Sequence, residues 1–99
     1  MIQNVNCSQS SSMPGQNLET VTADVTPPSA GATGQPQATL KNKTTGQVVG
    51  MQAMTLVAGS TSHYSATFMV GPGQYCAIVS VTWIVITQVP EQSACCDCA

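Results

Sequence analysis

Residues 75–86, YCAIVSVTWIVI, decide how this chain folds. Tyr75, Ala77, Val79, Val81, Trp83 and Val85 alternate with Cys76, Ile78, Ser80, Thr82, Ile84 and Ile86. Side chains that repeat every second residue belong to a strand, because successive Cβ atoms of extended backbone point to opposite faces. Ser80 and Thr82 interrupt the run well short of the 18 or more apolar residues a membrane helix needs, so no membrane insertion is expected. Beyond Trp83 both faces are apolar. The stretch from Gln74 to Val89 is therefore expected to divide near Ser80–Thr82, or to be covered on both sides at its far end, and Pro90 to stop it. Trp83, Ile84 and Ile86 are the interface candidates that this excess of apolar surface suggests, with core packing the other reading of Trp83.

Outward from this run the same period recurs. Val21, Ala23 and Val25 alternate with Thr20, Thr22 and Asp24 until Pro27-Pro28. QATLKN (37–42) and QVVGM (47–51) flank a turn in which Gly46 supplies the positive φ of a tight hairpin. MTLVA (54–58) reads as a further strand, and in SHYSATFMV (62–70) Tyr64, Ala66, Phe68 and Val70 share a face before Gly71-Pro72-Gly73 turns the chain. No helical period and no internal repeat appear. The expected fold is all-β: an immunoglobulin-like or jelly-roll β-sandwich of about seven to eight strands with extended cysteine-bearing termini. Its expected parts are an N-terminal extended arm at 1–17, the sandwich domain at 18–90 and a cysteine-rich tail at 91–99, with IQNV (2–5) able to pair as an extra strand.

Composition narrows the function. Only 6% of the 99 residues are charged, two Lys against four Asp and Glu, for a net charge of −2. Two cations cannot neutralise a phosphate backbone, which argues against nucleic acid as a partner. Scarce surface charge also favours association of a small domain with other surfaces. No nucleophile, base and acid stand together: His63 is a lone surface residue at a strand start, and Glu19, Asp24 and Glu91 show no pairing that suggests acid–base chemistry, a solvated position being an equal reading of them, so no enzyme and no cofactor are expected. The start of the chain carries neither a basic nor an apolar leader segment, yet five cysteines point to an oxidising final location, an extracellular or spore or virion surface reached without a secretory signal.

The thiols carry the most specific signal. Cys95, Cys96 and Cys98 crowd SACCDCA (93–99). Cys95-x-x-Cys98 has zinc spacing, but no second such pair exists, and a closed site would need Cys7, Cys76, Asp97 or His63 from afar, so no metal is expected. Adjacent Cα atoms lie about 3.8 Å apart, below the roughly 4.4–6.8 Å of bridged cysteines, so Cys95 and Cys96 need different partners. Cys7 sits on the arm, whose reach of up to roughly 35–40 Å exceeds the size of such a domain. Cys7, Cys95, Cys96 and Cys98 are thus intersubunit disulfide candidates. Cys76, inside the strongest strand, is either a bridging residue or a buried core thiol.

The matches Leu40, Thr45-Gly46, Tyr64, Phe68, Pro72-Gly73 and Tyr75, spanning about residues 37–81, resemble the prealbumin-like and collagen-adhesin B-repeat group of immunoglobulin-like domains. That resemblance implies architecture. Members often carry a Lys–Asn isopeptide bond, but Lys41 and Lys43 flank a hairpin and the last long strand offers no Asn or Asp to receive them. In design the chain also resembles endospore appendage subunits, which place their paired cysteines in an N-terminal connector, whereas here they lie near the C-terminus. The expected function is a structural subunit of a self-assembling extracellular fibre or surface appendage, a homopolymer locked by intersubunit disulfides through its terminal segments. The alternative is an immunoglobulin-like binding or decoration module of a phage or surface adhesin.

Overall fold

The computed structural model describes residues 1–27, 31–84 and 88–98, with side chains left out at residues 12, 13, 88, 89, 91 and 93–98. The chain is all-β. Its strands are β1 (Ile2–Met13), β2 (Gln16–Val25), β3 (Gln37–Asn42), β4 (Val48–Ala53), β5 (Thr55–Leu56), β6 (His63–Val70), β7 (Tyr75–Ile84) and β8 (Gln88–Cys98). They form two four-stranded sheets, β1-β2-β6-β5 and β4-β3-β7-β8, in which every neighbouring pair is antiparallel.

The alternation in the sequence is the alternation in space. Tyr75, Ala77, Val79, Val81 and Trp83 are the buried face of β7, and Val21, Ala23 and Val25 that of β2. With Ala38, Leu40, Met54, Ala66, Phe68 and Val70 they make one core between the sheets. β7 is one ten-residue strand with no break at Ser80–Thr82. At its far end Thr33, from the segment before β3, pairs with Ile84 in the plane of the sheet through backbone hydrogen bonds of 3.2 and 2.8 Å, and the outward Ile84 side chain stays 55% exposed, so the cover expected on that face is not seen among the described residues.

Three boundaries differ from those expected. The segment at 1–17 is not an arm held away from the domain: β1 pairs with β2 from Ile2↔Val25 to Met13↔Gln16 around a turn at Pro14-Gly15. Pro90 does not end the last strand. It stands opposite Thr82 within β8, which lies at the end of its sheet, where a residue without an N–H is tolerated on the unpaired side. Residues 91–98 accordingly continue β8 along β7 instead of leaving as a tail. The expected strand at 54–58 shrinks to Thr55–Leu56, because Met54 turns inward and its N–H goes to the Pro36 carbonyl at 2.9 Å.

The β3–β4 hairpin forms as its residues dictate. The Asn42 side-chain oxygen accepts from the N–H groups of Thr44 and Thr45 at 2.9 and 3.1 Å, and Gly46, at φ 76°, donates its N–H to the Asn42 carbonyl at 2.7 Å.

Candidate functional site

The two sides of the sandwich are unequal. On one side β1 and β8, the outer strands of the two sheets, lie against each other. On the other side β4 and β5 are outer strands separated by Met54 alone, and no described strand pairs with either beyond the sheet. β5 is two residues long; β4 offers six.

β4 reverses the usual order of a half-buried strand. Leu40 and Ala38, buried in β3, stand opposite Gly50 and Gln52, so these are the inward positions of β4. Val48 and Met51 stand opposite Lys41 and Thr39 and look outward, 56% and 61% exposed. Val49, in the register shift between them, is also exposed. The strand has no charged residue and no proline. Apart from that shift, the devices by which proteins normally blunt a free edge are missing from it. Inward, a side chain at Gly50 would meet the Phe68 ring at 3.3 Å, so glycine lets this edge close down on the opposite sheet.

The outer face of the β4-β3-β7-β8 sheet carries the apolar character further. Thr39 pairs with Met51 on one side and Ile78 on the other, which sets Met51, Thr39 and Ile78 in one row across three strands. Ile84 is 55% exposed at the end of β7. Of the interface candidates, then, Ile84 is at the surface; Trp83 is buried and belongs to the core; and Ile86 lies outside the described residues.

Cys7 and Cys76 are both disulfide-bonded within this single chain. Neither offers a thiolate for a metal, and among the described residues no group of three His, Cys, Asp or Glu gathers. Cys7 packs against the core from β1, opposite the buried Val21. Cys76 occupies the outward set of β7, half-buried between the inward Tyr75 and Ala77. Cys95, Cys96 and Cys98 lie in β8, and their side chains fall outside the described part.

Of the two readings left open for Glu19, the solvated one does not hold. It continues the inward face of β2 and is 0% exposed. Its Oε2 accepts from Gln9 Nε2 at 2.9 Å, and the same amide reaches the Gly73 carbonyl at 3.1 Å while Gln9 Oε1 accepts from Asn17 Nδ2. Among the described residues Glu19 Oε1 has no hydrogen-bond partner. Burial pushes the Glu19 carboxyl above its ordinary range, and the Gln9 hydrogen bond offsets part of that rise. The signal was present in the sequence, since Glu19 keeps the parity of Val21, Ala23 and Val25.

His63 and Asp24 also pair. They are partners across β2 and β6, with His63 Nδ1 at 2.9 Å from Asp24 Oδ1. Asn4 donates to Asp24 Oδ2 at 2.8 Å from a bulge in β1, and this bond, then the one with His63, holds the Asp24 carboxyl below its usual value. Among the described residues no hydrogen bond or ion pair brings a nucleophile to this pair. A depression of about 260 Å³ is lined by Gln35, Gln37, Ser80, Val81 and Thr82, with neither an aromatic ring nor a titratable group. No helix of the described residues is long and apolar enough to cross a membrane.

No protein-family model matches this chain, and neither does any curated protein or solved structure.

Proposed function

We propose that this protein is a structural subunit that assembles with copies of itself into an extracellular fibre or surface appendage, as on a spore or virion. The carrying observation is β4, an exposed, uncharged, apolar strand whose outer backbone no described strand pairs. Strand addition supplies main-chain hydrogen bonds without any need for charge, which suits a chain with two basic and four acidic residues. An open edge of this composition is the feature that most water-soluble domains avoid.

The geometry favours β4 meeting β4 of a second copy, because β1 and β8 cover each other and β5, the remaining outer strand, is only two residues long. Such a contact is two-fold and joins two sheets into one; by itself it closes on a pair. A fibre needs a second contact. An odd total of five cysteines leaves at least one without an intrachain partner, and a disulfide from it to another copy supplies that contact on the β8 side. Alternating edge and sulfur contacts produce an open chain of subunits. The immunoglobulin-like, prealbumin-type assignment belongs to the same proposal: Thr45-Gly46 turns between β3 and β4, Tyr64 and Phe68 lie on β6, and Pro72-Gly73 leads into Tyr75 at the start of β7.

The test is assembly state. Oxidised protein examined by light scattering over a range of concentrations, and by electron microscopy, is expected to grow beyond the dimer. Val48→Lys and Met51→Lys, at exposed outward positions, are expected to keep the melting temperature within about 2–4 °C, as a surface change of under roughly 0.5 kcal/mol would, while stopping growth at the disulfide-linked species. A wild-type chain that stays monomeric at every concentration overturns the proposal and moves the reading to the binding module. Undiminished growth of the lysine variants overturns the role of β4.

A further inference from the structure

We infer that the C-terminal cysteine cluster is an internal clasp: Cys76 is bonded to Cys96, and Cys7 to Cys95 or Cys98, so that β8 ties together both sheets of its own sandwich. Cys7 and Cys76 are each in a disulfide, and the question is with what. They are poor partners for each other. Cys7 lies on the core side of β1 and Cys76 in the outward set of β7, on the far side of the opposite sheet. Packed sheets lie about 10 Å apart, and bridged cysteines have Cα atoms no more than roughly 6.8 Å apart. The chain has five cysteines, and the three that remain are all in β8.

The register makes the assignment specific. Tyr75 pairs with Cys98 and Ala77 with Cys95, with a shift between them. One residue of β7, Cys76, is therefore matched by two of β8, Cys96 and Asp97. Directly opposed residues of an antiparallel pair are within disulfide reach, so Cys76 and Cys96 are set to join along the sheet. Cys95 and Cys98 occupy register positions opposite the two inward residues Ala77 and Tyr75. β8 lies beside β1, and Cys7 is on the core side of that strand. The second bond accordingly crosses from one sheet to the other at the side where β1 and β8 meet. Each closure removes two thiol hydrogens: two protons and two electrons pass to an external disulfide, whose S–S bond breaks as the new one forms and which leaves as two thiols. One cysteine of five remains.

This inference stands apart from the assembly just proposed and is tested on denatured chains. Oxidised protein is treated at acidic pH with a thiol-blocking reagent, separated without reductant, and the monomer band is cut after Lys41, Lys43, Glu19 and Glu91. Peptides 1–19, 44–91 and 92–99 then carry Cys7, Cys76 and the cluster separately. Both larger peptides are expected to be linked to 92–99, with one blocked thiol per chain, and tandem mass spectrometry of the linked species is expected to place the Cys76 bond on Cys96. A direct link between 1–19 and 44–91, with three blocked thiols on 92–99, overturns the inference. So does a non-reducing ladder beyond the dimer, because one remaining thiol per chain can join no more than two chains.

Discussion

Glu19 shows how a single carboxylate can oppose the fold that encloses it. One oxygen is held by Gln9 and the other has no partner among the described residues. Burial raises its folded-state pKa above that of the unfolded chain. For an acid shifted upward, stabilisation is present below the unfolded value, about 4.3 for a glutamate, and is lost as pH rises through the raised folded one. At neutral pH the charged form is therefore a burden. Glu19→Gln keeps an oxygen for the Gln9 amide and removes the charge. It is expected to raise the melting temperature at pH 7, with the difference shrinking to nothing below about pH 4. Equal melting temperatures at pH 7 would show that the carboxylate is hydrated. Asp24 acts in the opposite sense: its lowered pKa, set by Asn4 and then His63, contributes stability at neutral pH that disappears as pH falls through the lowered value.

At the scale of elements, period two was decisive where one face is buried. β2, β3, β6 and β7 fall within a few residues of the segments whose alternation marks them. It was uninformative for β1 and β8, whose Ser, Gln and Cys carry little hydrophobic contrast, so the two strands that meet at one side of the sandwich read as loose ends. Pro90 misled because proline excludes a central strand and not an outer one. The open edge was missed for a related reason: VVGM looks like an ordinary core strand until the register shows Gly50 inward and Met51 outward. The hairpin leading into that edge gives a test. Gly46 sits at φ 76°, where a Cβ costs about 1–2 kcal/mol. Gly46→Ala is expected to lower the unfolding free energy by that amount, seen in urea unfolding as a lower midpoint with an unchanged slope. No change in the midpoint would mean that the turn tolerates a regular helical φ.

For the molecule as a whole, the disulfides at Cys7 and Cys76 bear on stability more than any single core contact. A bond that closes a long loop contributes roughly 2–4 kcal/mol in a small domain, and about 1 kcal/mol moves the melting temperature of a chain this size by roughly 4–8 °C. Reduction is therefore expected to lower the melting temperature by more than about 10 °C for the pair while the far-ultraviolet spectrum at low temperature stays that of a β protein. A reduced chain that melts where the oxidised one does would place the stability in the apolar core alone. That core has an optical consequence. The chain has one tryptophan, and Trp83 lies 4% exposed where Thr33 pairs beside the end of β7, its indole N–H without a partner among the described residues. An indole in so dry a site emits toward the blue and resists collisional quenchers, so the protein carries its own fluorophore at the end of the sandwich remote from Tyr75. Its colour reports the closing of that end without any added label.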